Sequence, residues 1–280
     1  MRRVSIPFAM LLLCGCMPRP VSSGATVFPP AYAALNLPPT KQRARMVKRI
    51  RASVGRSAPS ALTQALDRAL AVIGQLPRED FVQAKGRALA YVDAPQDIGY
   101  DQTISDPYIV ALMTAALDLP TDRSANVLDV GTGSGYQAAV LSPLAKSVTS
   151  IEIVKPLADQ ARVRLAAMGY RNVTVIAGDG FAGASDRGPF DGIVVAAGAS
   201  EIPAPLIAQL KVGGRIVMPI GPGTFQEQLV VGIRQPDGAL QRCTLGVTGF
   251  VPLTGRGARP TAMHGLTDRS IPFCYGAALT

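Results

Sequence analysis

From Asn126 onward, short apolar runs alternate with stretches in which apolar residues return every three or four positions. Runs of the first kind suit strands buried on both faces; the second spacing suits helices with one buried side. Strands are predicted at 126–130, 147–153, 173–177, 192–196 and 215–219, with helices near 136–144, 156–168 and 203–210. Such alternation implies a doubly wound α/β fold, in which helices cover both faces of a mostly parallel sheet. The runs 228–234 and 242–247 flank Pro236-Asp237-Gly238, a turn signal, so the sheet is expected to finish in an antiparallel hairpin. Upstream, Leu62, Leu66, Leu70 and Ile73 fall at helical spacing over 61–76, and Pro77 ends that element. This predicts a helical addition ahead of the sheet.

The segment Asn126-Val-Leu-Asp-Val-Gly-Thr-Gly-Ser-Gly-Tyr-Gln-Ala-Ala-Val-Leu141 joins a buried strand, a glycine turn and a helix start. Gly131, Gly133 and Gly135 can take positive φ and let a ligand approach the backbone closely. Glu152 ends the next apolar run, 21 residues after Gly131, where one βαβ step places an acid against a ribose. A dinucleotide site favours G-x-G-x-x-G with a helix N-terminus facing pyrophosphate. Here the spacing is G-x-G-x-G, and Asp129 stands two residues before the first glycine. A carboxylate at that place repels pyrophosphate and suits a cation, such as the amino group and sulfonium of S-adenosylmethionine. An ordinary strand-to-helix turn is the alternative for glycines alone; Asp129 and Glu152 beside them favour the cofactor.

Composition adds bounds. The chain has 280 residues, 48% of them hydrophobic, enough for one sizeable α/β domain with additions. Arg2 and Arg3 precede an apolar run from 4 to 13, followed by Leu13-Cys14-Gly15-Cys16. This has the form of a bacterial secretory signal with a lipoprotein box, in which Cys16 becomes the lipidated N-terminus. Export to the periplasm or envelope is the expectation for 1–16, with a cytoplasmic protein as the alternative. Residues 17–60 hold a proline-rich spacer and then a basic stretch, Lys41, Arg43, Arg45, Lys48, Arg49, Arg51 and Arg56, with Val47, Ile50 and Val54 at helical spacing. Such a helix lies on an anionic membrane or is a solvated face. No aromatic side chains interleave with these cations to stack bases, which argues against nucleic acid despite a net charge of +9. His264, in the C-terminal tail, is the one histidine, which argues against a Ser-His-Asp hydrolase and against histidine-rich metal sites. With Cys14 and Cys16 in the signal region, Cys243 and Cys274 remain, and their pairing is left open.

Several motifs together resemble one family. Asp101-Gln-Thr-Ile-Ser-Asp-Pro-Tyr-Ile-Val-Ala111, the glycine turn, Ser150-Ile-Glu152 and Gly178-Asp-Gly180 closely resemble protein-L-isoaspartate O-methyltransferases. The likeness runs upstream through Leu76-Pro-Arg-Glu-Asp-Phe-Val82 and downstream through Gly213-Gly-Arg-Ile-Val-Met-Pro219 to Phe250-Val-Pro-Leu253. It implies a seven-stranded, Rossmann-like methyltransferase domain over 61–253, followed by a tail over 254–280. It further implies a monomer that uses S-adenosylmethionine to esterify the α-carboxyl of L-isoaspartyl residues in damaged proteins.

By the same resemblance, Ser105 lies at the catalytic site and Gln102, Thr103 and Ile104 bind substrate. Asp129, Gly131, Thr132, Gly133 and Gly135 bind the cofactor, with Glu152, Asp179 and Gly180; Asp179 is expected at the adenine amino group. Pro107 prefers the first helical position, which makes Asp106 the N-cap and leaves the Ser105 hydroxyl for substrate. The family usually has glycine at the position of Asp101, which raises the question of substrate preference. Two alternatives remain at this stage: another carboxylate acceptor, or a non-catalytic envelope protein that keeps the cofactor fold.

Overall fold

The computed structural model describes residues 36–57, 62–221, 226–256 and 270–274. The signal segment with Cys14 and Cys16, the spacer as far as residue 35, and His264 lie outside the described residues. No helix among the described residues is long and apolar enough to cross a membrane.

Seven strands form the main sheet: β3 (Asn126–Val130), β4 (Ser147–Glu152), β5 (Val173–Ala177), β6 (Phe190–Val195), β7 (Leu210–Ile220), β8 (Glu227–Arg234) and β9 (Leu240–Thr248). Their spatial order is β5-β4-β3-β6-β7-β8-β9. The first five are parallel and the last two antiparallel, as the alternating pattern and the Pro236-Asp237-Gly238 turn predict. The chain steps outward from β3 to β5 and returns to β6 on the other side of β3. A crevice opens beyond the carboxyl ends of the strands at that switch point.

Each inner strand is apolar on both faces because both are covered. Val127, Val148, Val194 and Val217 face one core; Leu128, Val130, Ile151, Ile193 and Ile216 face the other. The first core is shared with helices α1 (Pro39–Ser57), α2 (Thr63–Ile73), α3 (Pro107–Ala116), α4 (Tyr136–Leu141) and α5 (Lys155–Ala167). Leu206 of α6 (Ala204–Gln209) packs into the second. In α1 the buried stripe is Met46, Ile50 and Val54, with Val47 only half-buried. Arg49 and Arg51 turn to the protein, donating to the Tyr91 carbonyl at 3.1 Å and pairing with Asp67 at 2.8 Å.

Boundaries shift where backbone chemistry intervenes. Pro143 converts the end of the helix predicted near 136–144 into a 3-10 turn over Ser142–Leu144. The strand expected at 215 begins at Leu210, because Gly213 at φ 78° lets the strand turn and resume pairing at Arg215. The antiparallel hairpin of β1 (Gln96–Gly99) and β2 (Gln102–Ile104) was not anticipated, nor were the short 3-10 turns at Arg78–Asp80, Ala84–Leu89 and Ser185–Arg187. Cys243 and Cys274 form a disulfide, which pins 270–274 beside β9, where Cys274 N–H donates to the Thr244 carbonyl at 3.0 Å.

Candidate active site

The glycine turn leaves β3 and immediately folds back on β4. Gly131 and Thr132 N–H groups both donate to the Ile151 carbonyl, at 2.8 and 3.1 Å, and Gly135 N–H donates to the Thr132 carbonyl at 2.7 Å. Gly131, Gly133 and Gly135 have φ of 93°, 52° and 90°. At Gly135 the demand is twofold, since a Cβ there would also press on Leu165 Cδ1 at 3.1 Å. The turn is therefore packed against Leu165 of α5.

Glu152, 5% exposed, stands at the end of β4 and braces the turn. Its Oε2 accepts from Gly133 N–H at 2.7 Å and its Oε1 from Val154 N–H at 2.9 Å. An ionised carboxylate offers two acceptor sites on each oxygen. One site per oxygen is left for a pair of vicinal hydroxyls.

Asp129, read from the sequence as a neighbour of the cofactor's cationic groups, lies beneath the turn and does not border the cleft. Strand register explains this. Asp129 sits directly opposite Ser150, whose hydroxyl donates to Oδ2 at 2.7 Å and receives the Thr132 hydroxyl at 2.6 Å. The other oxygen, Oδ1, has no hydrogen-bond partner among the described residues. Complete burial pushes the carboxyl up to about 7; the Ser150 hydrogen bond pulls against this and the Glu152 charge adds to it. Sequence reasoning did not identify Ser150 as the link between Asp129 and the turn.

The opposite wall comes from β2 and the start of α3. Gln102, Thr103, Ile104 and Ser105 line the same cleft as Gly131, Thr132, Gly133, Glu152 and Gly180, so those sequence-predicted residues converge. Asp106 caps α3, its Oδ1 accepting from Ile109 N–H at 2.8 Å, and Ser105 lies one residue outside. Its hydroxyl has no hydrogen-bond partner among the described residues. Val251, Pro252, Leu253 and Thr254 close the cleft, fastened where Leu253 N–H donates to the Gly198 carbonyl at 2.7 Å.

Asp179 is separated from this group. It borders an adjoining depression with Ile153, Lys155 and Arg256. Its oxygens accept from Phe181 N–H at 3.0 Å and Arg256 N–H at 2.8 Å. Ile153, 45% exposed, borders both spaces.

Arg78 is the functional residue least visible beforehand. Fully buried, it donates from Nε to the Ala90 carbonyl at 2.9 Å and from Nη2 to the Ser105 carbonyl at 2.7 Å. Its guanidinium lies 4.7 Å from the ring centroid of Tyr136, which lines the cleft and begins α4. One side chain thus ties the Ser105 segment to the helix that follows the glycine turn. The motif Leu76–Val82 carries the residue, but an arginine in sequence reads as a surface charge.

Comparisons with known proteins agree with this geometry. Residues 61–258 match the family model described as Protein-L-isoaspartate(D-aspartate) O-methyltransferase (PCMT). The chain is 45% identical over 226 residues to Protein-L-isoaspartate O-methyltransferase 2 of Syntrophobacter fumaroxidans, covering 80% of this chain and 91% of the relative. It is 47% identical over 213 residues to the like-named protein of a Polaromonas species, covering 75% of this chain and all of the relative. A PCMT crystal structure from Plasmodium falciparum in complex with S-adenosyl-L-homocysteine superposes with a TM-score of 0.58 at 22% identity, over 74% of this chain and 97% of that one. At that identity the likeness establishes the fold.

Proposed function

This chain belongs to the protein-L-isoaspartate(D-aspartate) O-methyltransferase family and is an S-adenosylmethionine-dependent protein-repair enzyme; we propose that its acceptor, the α-carboxylate of an L-isoaspartyl residue, is seated against Ser105. The observation that carries this placement is the Ser105 hydroxyl, which has no hydrogen-bond partner among the described residues and lines one cleft with the glycine turn and Glu152. The residues fit the cofactor: a turn with three positive-φ glycines beside an acid that keeps acceptor capacity for a ribose diol. Asp129 acts from below through Ser150 and Thr132, and Asp179 takes the adenine amino group from the adjoining depression. When bound, the cofactor supplies an electrophilic methyl group on a sulfonium.

The protein's task is placement. A carboxylate with a pKa near ~3.9 is already ionised at neutral pH, so no general base is required. The Ser105 hydroxyl donates to one oxygen of the acceptor and leaves the other directed at the methyl donor. Gln102, Thr103 and Ile104 hold the flanking peptide. Fixing the two reactants in line supplies up to roughly 7–11 kcal/mol in favourable cases. Val251–Thr254 exclude water from the space in which opposite charges cancel.

The test is transfer of tritiated methyl from S-adenosylmethionine to an isoaspartyl peptide, with the aspartyl isomer as control. Label is expected in the first and not the second; equal labelling, or label only in small carboxylic acids, would remove the acceptor assignment. In the same assay Glu152→Ala should weaken donor binding by about 1.5–3 kcal/mol. An unchanged donor KM would remove the ribose contact.

We also propose that the protein acts as a monomer. Our reading places it outside the cytoplasm, lipidated at Cys16. The formed Cys243–Cys274 bridge suits an oxidising compartment, and the signal-like N-terminus supports the same reading. Mass spectrometry of the cell-derived protein decides this: an intact Met1 N-terminus without lipid would sink it.

A further inference from the structure

The β1–β2 hairpin roofs the glycine turn, with Ile98 so close that a Cβ on Gly133 would meet its Cδ1 at 3.1 Å. Its tip is a two-residue turn closed by the pairing of Gly99 with Gln102, a geometry that calls for positive φ at both central residues. Tyr100 and Asp101 both adopt the left-handed conformation, at φ 57° and 56°. Aspartate visits that region more readily than most residues; a bulky tyrosine there is an outlier. Neither side chain offsets the strain by packing or pairing. Tyr100 is 54% exposed, Asp101 is exposed, and neither the hydroxyl nor the carboxylate has a partner among the described residues. The hairpin's other carboxylate, Asp97, is balanced by Lys85 at 2.9 Å. The unbalanced charge stands at the tip.

Strand β2 leads from that tip into the cleft, and the side-chain amide of Gln102 donates back to the Tyr100 carbonyl at 3.3 Å. At a strand rise of about 3.3 Å per residue, Asp101 stands roughly 13 Å from Ser105. An extended peptide covers that distance in three to four residues. Glycine or asparagine would satisfy this turn at less cost, so an exposed, unpaired tyrosine and aspartate at its centre, beside the cleft, point to a role in contact with something outside.

We propose that Tyr100 and Asp101 form an outer subsite for the acceptor peptide, engaging a side chain three or four places from the isoaspartyl residue and selecting a cationic one over an acidic one. The carboxylate attracts an ammonium or guanidinium and repels a carboxylate; the ring packs on the aliphatic stem or stacks on the guanidinium. The inference rests on the isoaspartyl reading above. Family resemblance places glycine where Asp101 stands, so the selectivity belongs to this chain.

The test uses the full chain and isoaspartyl peptides carrying Lys or Glu at the third and fourth positions, on one side and then on the other. Methyl transfer is measured with and without salt, and peptide binding is measured by fluorescence anisotropy with the cleft saturated by S-adenosylhomocysteine. On one side, the wild-type kcat/KM is expected to favour Lys over Glu by about five- to tenfold, falling in about 0.5 M salt as screening shortens to a few ångströms. Asp101→Asn should bring the ratio below about twofold. Tyr100→Ala should raise KM for the Lys peptide about threefold with kcat retained. Calorimetric affinity for S-adenosylhomocysteine should be unchanged in both variants, which shows that the cleft is intact. Equal use of Lys and Glu peptides by the wild type, or a preference that survives Asp101→Asn, overturns the subsite while leaving the isoaspartyl reading standing. Failure of every isoaspartyl peptide to be bound or methylated overturns that reading and the subsite with it.

Discussion

Arg78→Ala is expected to cost about 3–5 kcal/mol of folding stability, a large share of what a domain of this size has to lose. The guanidinium serves two carbonyls, Ala90 and Ser105, and both lose their donor. Each buried carbonyl left unsatisfied costs about 1–3 kcal/mol, and truncating the largest fully buried side chain opens a cavity beside Tyr136 and Phe81. Relief from holding a charge out of water offsets part of the sum. Burial pulls the guanidinium's pKa down, and the nearby Tyr136, Asp106 and Asp93 pull it back up. Lysine has one compact ammonium in place of a planar fork, so Arg78→Lys should recover less than half of the loss. Urea unfolding measures this directly: the midpoint should fall with little change in slope. A loss under about 1 kcal/mol would show that the hydrogen bonds to Ala90 and Ser105 do not matter.

The second large effect is a pH dependence centred on Asp129. Burial raises its carboxyl to about 7, against about 3.9 in an unfolded chain. The folded protein therefore holds a proton that the unfolded chain releases. Stability from this source is fully present below about pH 4 and is lost as pH rises through about 7. The whole window is worth roughly 4 kcal/mol, and the part between pH 5 and 8 about 2–3 kcal/mol. Asp129→Asn keeps the shape and removes the titration. Unfolding free energies of wild type and variant should thus diverge by that amount across the interval, with the wild type losing ground as the solution becomes more alkaline. Asp97, Asp122 and Asp159 have lowered pKa values and titrate below the interval. Asp106 is raised but is common to both proteins and cancels. Parallel pH curves for the two would remove the buried proton from the account.

The contrast between Glu152 and Asp129 shows what a sequence can and cannot disclose. Both acids are legible as members of the turn, because spacing from the glycines reports strand length and helix length. Whether an acid looks into the cleft or under it depends on which residue of the next strand lies opposite, and Ser150 reaches Asp129 only through pairing between β3 and β4. The parallel strands were legible for a related reason, since each is a largely apolar run of five or more residues, with β3, β4 and β6 buried on both faces. The β1–β2 hairpin was not: its strands have four and three residues, and Tyr100-Asp101 lacks the Asn-Gly signature that such a turn favours. Arg78 was hidden because its partners are backbone carbonyls 12 and 27 residues away, which no local pattern records. The adenine placement of Asp179 was read from a motif, yet the residue's present partner, Arg256 N–H, comes from the far end of the domain.

The bridge between Cys243 and Cys274 makes a covalent ring of everything from the edge strand through the cleft-closing residues to the tail. A protease that clips the chain once between Arg256 and Ser270 therefore amputates nothing: the downstream fragment stays attached through sulfur. Only when a thiol reductant accompanies the clip does the piece fall away. A gel run without reductant would show a nicked enzyme at full length.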